Sequence, residues 1–425
     1  MLRPGGFPEF SPADQKVFDT IIAIIAGVFA QRNFQHIWTP AVEKNDVLLK
    51  GGETVANEIF GLIGLKDFEQ GNLDQAKKDY SLHFDLTVPF ARYTLDHLNE
   101  LVFPFKRYQM QPVWRGERQQ RGRFKEFWQC DVDSIWKSGT NVGYRYGAET
   151  IATLQAAIQA VFSHYAIPTS FVSHIAHIGL TKAFLGHYLD HDASKVKAVT
   201  DLLDKYYKKE YTTFVHELQL LVSSELADIL LKLIQTKDYS ILRNYDEAAY
   251  EVLDATVSTL QKLGAKVVFD ITIVRGLGYY TDIVFETFLT EEISLGSICS
   301  GGGYEDFTKF LDPKQVYSGI GGSIGLSRLM ELILEKANTY DTEDTYLFVH
   351  MEDTFDAILA VYMKFLSAGK TCELYPTAIK FGKQLEYADK KSIRYAVILG
   401  STELEQNIYI IKDLASGTQA SYPLS

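Results

Sequence analysis

Cysteine is scarce in this sequence. Three thiols, Cys130, Cys299 and Cys372, lie far apart in 425 residues, too few and too scattered for a disulfide framework or a zinc site. A reducing cytoplasm is the expected setting. Long hydrophobic runs are also missing. The most apolar early stretch, residues 21–30, is too short to span a bilayer, and Met1-Leu2-Arg3-Pro4-Gly5-Gly6 lacks the basic-then-apolar pattern of a secretory signal. There is no internal repeat and no low-complexity segment. The glycine-rich stretches do not form a strand–GxGxxG–helix unit, so a dinucleotide fingerprint is excluded. Positive charge is in deficit, with 42 Lys and Arg against 54 Asp and Glu and a net charge of −12. That balance argues against a protein that coats nucleic acid non-specifically, yet local basic loops can still meet a particular RNA.

What is present is a chain of 46% hydrophobic residues, long enough for two or three domains with proper cores. Residues 14–32 carry apolar side chains at helical spacing behind a Ser11-Pro12 start signal. Residues 34–42 read as a strand carrying Pro40. Between 103 and 135 two alternating runs flank a polar loop at 116–123, the pattern of a long antiparallel hairpin. Residues 147–165 predict a helix, and 181–263 predict an almost wholly helical segment. Strand and glycine character return from 265 to 325, and a further helix begins at Leu326. A polar linker, Asn338-Thr339-Tyr340-Asp341-Thr342-Glu343-Asp344, precedes a strand–helix–strand–helix–strand–strand alternation, the mark of a small α/β domain with a mixed sheet.

The hairpin carries most of the chemistry. Side chains alternate along a strand, so Gln129, Asp131 and Asp133 share one face and Trp128 and Val132 the other. Such a polar face can line a pocket floor, and it can equally be the wet side of an ordinary sheet. Arg118, Arg121 and Arg123 in the loop suit a polyphosphate, because guanidinium forks match phosphate oxygens; solvated loop charge explains them as well. Asp85 beside Thr87 can bind an α-ammonium group or start a helix. Arg275 beside Tyr279 and Tyr280 can hold a carboxylate or phosphate and enclose a flat ring, or serve packing and an ion pair.

Taken together, in order and wording, these segments resemble histidyl-tRNA synthetase, a class II aminoacyl-tRNA synthetase family, over almost the whole chain. The strand around Pro40 resembles the family's first motif, at its dimer interface. Arg115-Gly116-Glu117 with Arg123 resembles the second. Gly321-Gly322-Ser323-Ile324-Gly325-Leu326-Ser327-Arg328 resembles the third. Residues 85–87 and 275–281 resemble the two signatures of the histidine-specific branch. The resemblance implies an α+β fold. A class II catalytic domain, an antiparallel sheet flanked by helices, would span 1–180 and 265–336. A helical insertion would occupy 181–264, and an anticodon-binding domain 342–425, where Phe381-Gly382-Lys383-Gln384-Leu385 is similar to that module.

The implied activity is ATP-dependent activation of L-histidine and transfer to histidine tRNA by a cytoplasmic homodimer without membrane attachment. Magnesium is expected on the ATP phosphates. Arg115 would hold the ATP α-phosphate and the histidine carboxylate; Arg123 and Arg328 would bind the outer phosphates, and Glu117 the adenine end. Asp85, Thr87 and Gln129 would take the amino group. Asp133, Tyr279 and Tyr280 would read the imidazole, which offers one donor and one acceptor when neutral. Arg275 would stabilise charge on the α-phosphate, and Gln120 would approach the extra 5′ nucleotide of the tRNA. Four positions depart from the family pattern. Gly278 stands for a common Asp, Asp282 for Gly, Gly303 for Arg and Ser327 for Glu. Two other readings remain open: a histidine-sensing regulatory subunit of ATP phosphoribosyltransferase, with which Ser173-His174-Ile175-Ala176-His177 is compatible, and a tRNA-binding module without catalysis.

Overall fold

The computed structural model describes residues 4–49, 58–72, 79–116, 124–139, 143–274, 280–336 and 344–424. The chain forms two compact units, Met1–Ala337 and Asn338–Ser425.

In the first unit the opening helix, Pro12–Gln31, begins where Ser11 accepts the Asp14 N–H at 3.2 Å and Pro12 takes the first turn. It buries Val17, Phe18, Ile21, Ile25 and Phe29 along one stripe. The predicted strand at 34–42 is not continuous. Only β1 (Gln35–His36) and β2 (Val42–Lys44) form. Between them Thr39 uses its backbone on a side chain instead of a ladder, with its N–H donating to Gln111 Oε1 at 3.1 Å and its carbonyl accepting from Gln111 Nε2 at 2.9 Å. Strands β3 (Gly61–Leu62) and β4 (Tyr80–Leu82) join β2 in a small sheet.

The hairpin forms as the alternation predicts. β5 (Phe105–Trp114) and β6 (Glu126–Lys137) pair antiparallel from Phe105↔Ile135 to Trp114↔Glu126. After β7 (Phe171–His177), β8 (Val267–Phe269), β9 (Ile283–Leu289), β10 (Cys299–Tyr304) and β11 (Tyr317–Gly325), the sheet has the order β1-β5-β6-β11-β10-β9-β7-β8. Its interior pairs are antiparallel; the two edge pairs, β1 with β5 and β7 with β8, are parallel. One face packs on the helices Pro12–Gln31 and Gly143–His164. Met110, Cys130, Val132 and Trp136 meet Phe18, Ile25, Ile151, Leu154 and Ile158 there. The other face keeps the polar side chains.

Glycine in β10 and β11 serves close packing between strands, not turns. A Cβ on Gly321 would lie 1.8 Å from Asp133 Oδ1, and one on Gly301 would lie 2.1 Å from the Gly321 carbonyl oxygen. Side chains from neighbouring strands fill the room these glycines leave.

Five helices between Ile178 and Lys262 make up the predicted helical segment. Phe184, Leu203, Phe214, Leu230 and Leu260 continue the core of the sheet into it. A buried carboxylate latches it to the sheet edge. Asp270 lies 2.7 Å from His174 Nδ1 on β7 and 2.8 Å from Lys237 Nζ, and it accepts from Tyr207 and from the Thr272 hydroxyl at 2.7 Å.

In the second unit, β12 (Thr345–His350), β13 (Thr371–Leu374), β14 (Tyr395–Leu399), β15 (Ile408–Asp413) and β16 (Gln419–Pro423) form a mixed sheet ordered β13-β12-β14-β15-β16. The run Tyr346-Leu347-Phe348-Val349 sends alternate side chains to two cores. Tyr346 and Phe348 join Ile358 and Val361 of the helix Phe355–Ser367, while Leu347 and Val349 join Ala388 of Phe381–Lys390.

Asp270 provides a test of the latch. Its partners hold the carboxyl far below the ordinary range against the opposing effect of burial. A depressed folded pKa contributes stability that is complete above the unfolded value near ~4 and is lost only below it. Asp270→Asn should therefore cost ~3 kcal/mol in urea unfolding, the scale of breaking a buried ion pair. The deficit should be equal at pH 8 and pH 5.5; a deficit that fades by pH 5.5 would refute the assignment.

Candidate active site

The site face of β6 presents Gln129, Asp131 and Asp133, with Arg107 and Gln109 beside them on β5. Arg107 is wholly enclosed. Its Nη2 is 2.7 Å from Asp133 and 3.7 Å from Asp131, and it donates to the Leu86 carbonyl at 3.3 Å. Its Nη1 donates to Gln109 Oε1 at 3.2 Å, and the guanidinium lies 4.6 Å from the Phe90 ring centroid. A charge removed from water must be matched at short range, and the two aspartates supply the match. Tyr304 from β10 donates to Asp133 Oδ1 at 2.7 Å.

The two carboxyls are not equivalent. Burial pushes both up, against the pull of Arg107. Asp133 is also held by the Tyr304 hydroxyl. Asp131, farther from the cation and repelled by Asp133 and Asp85, is raised to about 7. Among the described residues, buried Gln129 Oε1, Asp131 Oδ1 and Arg107 Nε have no hydrogen-bond partner, while Gln129 Nε2 donates to the Ser323 hydroxyl at 3.3 Å. Polar atoms are rarely buried without partners unless something else supplies them.

Asp85 and Thr87 stand at the start of the helix Thr87–Asp96, both buried. Asp85 Oδ1 accepts the Val88 N–H at 3.2 Å, so it also performs the helix-start role. Arg115, one residue past β5, donates from Nε to the Phe84 carbonyl at 3.0 Å and lies 5.0 Å from the Phe127 ring centroid. The 83–87 segment and the hairpin are thereby joined.

Comparison with known proteins follows the same outline. The family model for histidyl-tRNA synthetase matches residues 6–329, and the model for an anticodon binding domain matches residues 346–425. The histidine–tRNA ligase of Clostridium acetobutylicum is 33% identical, over 97% of this chain and 96% of that protein; that of Cutibacterium acnes is 33% identical over 98% and 94%. The chain belongs to the histidyl-tRNA synthetase family. The crystal structure of histidyl-tRNA synthetase from Nostoc sp. PCC 7120 superposes with a TM-score of 0.83 at 28% identity, covering 99% of this chain and 96% of that one.

Within this histidyl-tRNA synthetase family member, Asp85, Thr87, Arg115, Gln129 and Asp133 gather on one side of the sheet. Tyr280 packs beside Tyr304, Phe307 and Ala91, facing Gly302. Arg328, near the start of the helix Leu326–Lys336, donates from Nη1 to the Ser297 carbonyl. Glu117, Gln120, Arg123, Arg275 and Tyr279 lie outside the described residues.

Two of the four positions that the resemblance marks as departures meet in space. A Cβ on Gly303 would lie 2.9 Å from Asp282 Cβ, and Asp282 Oδ1 is 2.9 Å from His177 Nε2. Nothing in the structure explains Ser327. Sequence reasoning missed Arg107 and Tyr304. The first was legible, since Arg107, Gln109 and Gln111 repeat on β5 the two-residue polar period of β6. The second, 171 positions from Asp133, left no local signal.

Replacing the cation tests its hold on the floor. Arg107→Met leaves Asp131 and Asp133 without a counter-charge and should cost ~3–5 kcal/mol in urea unfolding. Both carboxyls would then be raised further above their unfolded values, so stability falls as pH climbs through that interval. The deficit should be larger at pH 8 than at pH 5.5; the reverse order would mean that Arg107 does not neutralise them.

Proposed function

We propose that this chain activates L-histidine with ATP and transfers it to histidine tRNA. The observation that carries the reading is the buried polar floor, with the unpartnered Gln129 and Asp131 oxygens and the Asp133–Arg107 pair, beside Arg115 and Asp85. In the first step a histidine carboxylate oxygen attacks the α-phosphorus of ATP, an adenylate forms and pyrophosphate departs. In the second, a ribose hydroxyl of the tRNA 3′ end attacks the activated carbonyl and releases AMP. Neither step needs a protein nucleophile, because positioning and fixed cations supply most of the acceleration.

Arg115, whose guanidinium lies over the Phe127 ring, would bridge the α-phosphate and the substrate carboxylate. Asp85, Thr87 and Gln129 would take the ammonium group. Asp133, fixed by Arg107 and Tyr304, keeps lone pairs for an imidazole N–H. Tyr280 and Tyr279 would complete the ring site. Arg275 would carry the charge that builds on the α-phosphate, Arg123 and Arg328 the outer phosphates, Glu117 the adenine end, and Gln120 the tRNA 5′ nucleotide. Among the described residues no three carboxylate, histidine or cysteine side chains gather as a metal cage. Magnesium would arrive on the ATP phosphates, as this cation prefers, and neutralise their charge there. A homodimer is supported by the 60%-exposed Trp38 and the neighbouring exposed Val42, next to Pro40. No described helix is long and apolar enough to cross a membrane.

A structure titled as an ATP phosphoribosyltransferase regulatory subunit/histidyl-tRNA synthetase, from Bacillus halodurans C, superposes with a TM-score of 0.71 at 21% identity, which speaks to fold alone. The match of 346–425 to an anticodon binding domain favours the synthetase.

The reading predicts exchange of pyrophosphate into ATP that depends on histidine and rejects other amino acids by ~10⁴-fold, as expected for a site built to pair a polar ligand. No exchange in the presence of magnesium would favour a sensor. The division of labour among a catalytic domain, an insertion at 181–264 and a terminal domain at 342–425 predicts a second result. Truncation after Lys336 should leave exchange largely intact and sharply weaken aminoacylation through tRNA affinity, and salt dependence should flatten by roughly one unit of slope per lost phosphate contact. Equal loss of exchange and charging would mean that the terminal domain supports the catalytic fold instead.

A further inference from the structure

We propose that Asp131 completes an ammonium cradle with Gln129 and Asp85, and that it releases a proton to solvent when the ligand's α-ammonium enters. The inference rests on the histidine-activating reading and gives a role to Asp131, to which that reading assigns none.

Two oxygen acceptors on one strand face the same side, with a third carboxyl near enough to act on one of them. Gln129 Oε1 and Asp131 Oδ1 lie two residues apart on one face of β6, both buried and both unpartnered among the described residues. Asp85 is close enough for its charge to act on Asp131. A primary ammonium has three N–H donors and no acceptor, so it answers this set, whereas a neutral ring or a carboxylate does not.

Among the described residues, the charged and titratable neighbours of Asp131 set the same balance. Arg107 approaches from β5 at 3.7 Å but gives its shorter contact, 2.7 Å, to Asp133. Asp133 on the same strand and Asp85 ahead of the helix Thr87–Asp96 oppose a second negative charge, while the Ser323 hydroxyl on β11 favours it. The buried thiols Cys130 and Cys299 are pushed up by their surroundings and remain uncharged. Among the described residues whose charge acts on Asp131, one cation thus faces up to three carboxylates. With the pocket empty, Asp131 is poised near neutrality, at about 7. An arriving ammonium is a second cation; Asp131 then ionises, its proton leaves, and the carboxylate and ammonium pair without a net change of charge in the pocket.

The test is calorimetric titration of the full-length protein with L-histidine at pH 7, in two buffers of different ionisation enthalpy. Wild type should release ~0.5 proton per histidine more than Asp131→Asn, because a group with a pKa near the working pH is half protonated before binding. The variant should bind histidine ~10–100-fold more weakly, the scale of a lost charged hydrogen bond. It should bind 3-(imidazol-4-yl)propionate, which lacks the ammonium, as well as wild type does. Difference infrared spectroscopy of wild type alone should show a protonated-carboxyl band that disappears on adding histidine, a readout that survives if the variant does not fold. Equal proton release in both proteins, or no loss of that band, overturns the proposal. If histidine still supports pyrophosphate exchange in that case, only the proposal falls; if histidine does not bind, the functional reading falls with it.

Discussion

A single guanidinium governs the interior of this molecule. Arg107 has no water to solvate it, so the carboxylates of Asp131 and Asp133, the Leu86 carbonyl and Gln109 must stand where they do. Each of those partners belongs to a different requirement. Leu86 fixes the start of the helix that carries Thr87. Gln109 continues through Thr39 and Gln111 to the segment beside Pro40. Asp133 draws in Tyr304 from a strand two places away in the sheet. The low-dielectric surroundings that make an unmatched charge so unfavourable also make a matched one rigid. The pocket floor is therefore set before any ligand arrives, which is what electrostatic catalysis demands.

The rest of the first unit supports that floor. Helices cover the apolar side of the sheet, and glycines in β10 and β11 let neighbouring strands' side chains occupy the sheet's own volume. The helical segment between Ile178 and Lys262 is tied to the far edge by Asp270, a second buried charge matched locally and remote in sequence from the first. Two buried ionic clusters thus anchor the two ends of one sheet.

The hairpin was legible because period-two alternation over ten or more residues is hard to produce by chance, and the same rule placed Gln129, Asp131 and Asp133 together. The helices were legible from their apolar stripes and from the serine at 11. The segment 34–42 misled because its residues have strand composition while Thr39 spends its backbone on a glutamine side chain. Strand β16 escaped notice because every residue from Gln419 to Pro423 is exposed, so no buried face imposes a pattern on an edge strand. Arg107 was legible in the polar period of its strand but was passed over, since an arginine in a strand reads as surface until its partners are known. The pairing of Tyr304 with Asp133 depends on strand order, which no local window contains.

The meeting of Asp282 and Gly303 has a consequence for how such a site can change over time. Because a β-carbon at 303 would press on the one at 282, a side chain added at 303 requires Asp282 to shift or shrink, so the two positions do not vary independently. The effect of an exchange at either one depends on what stands at the other.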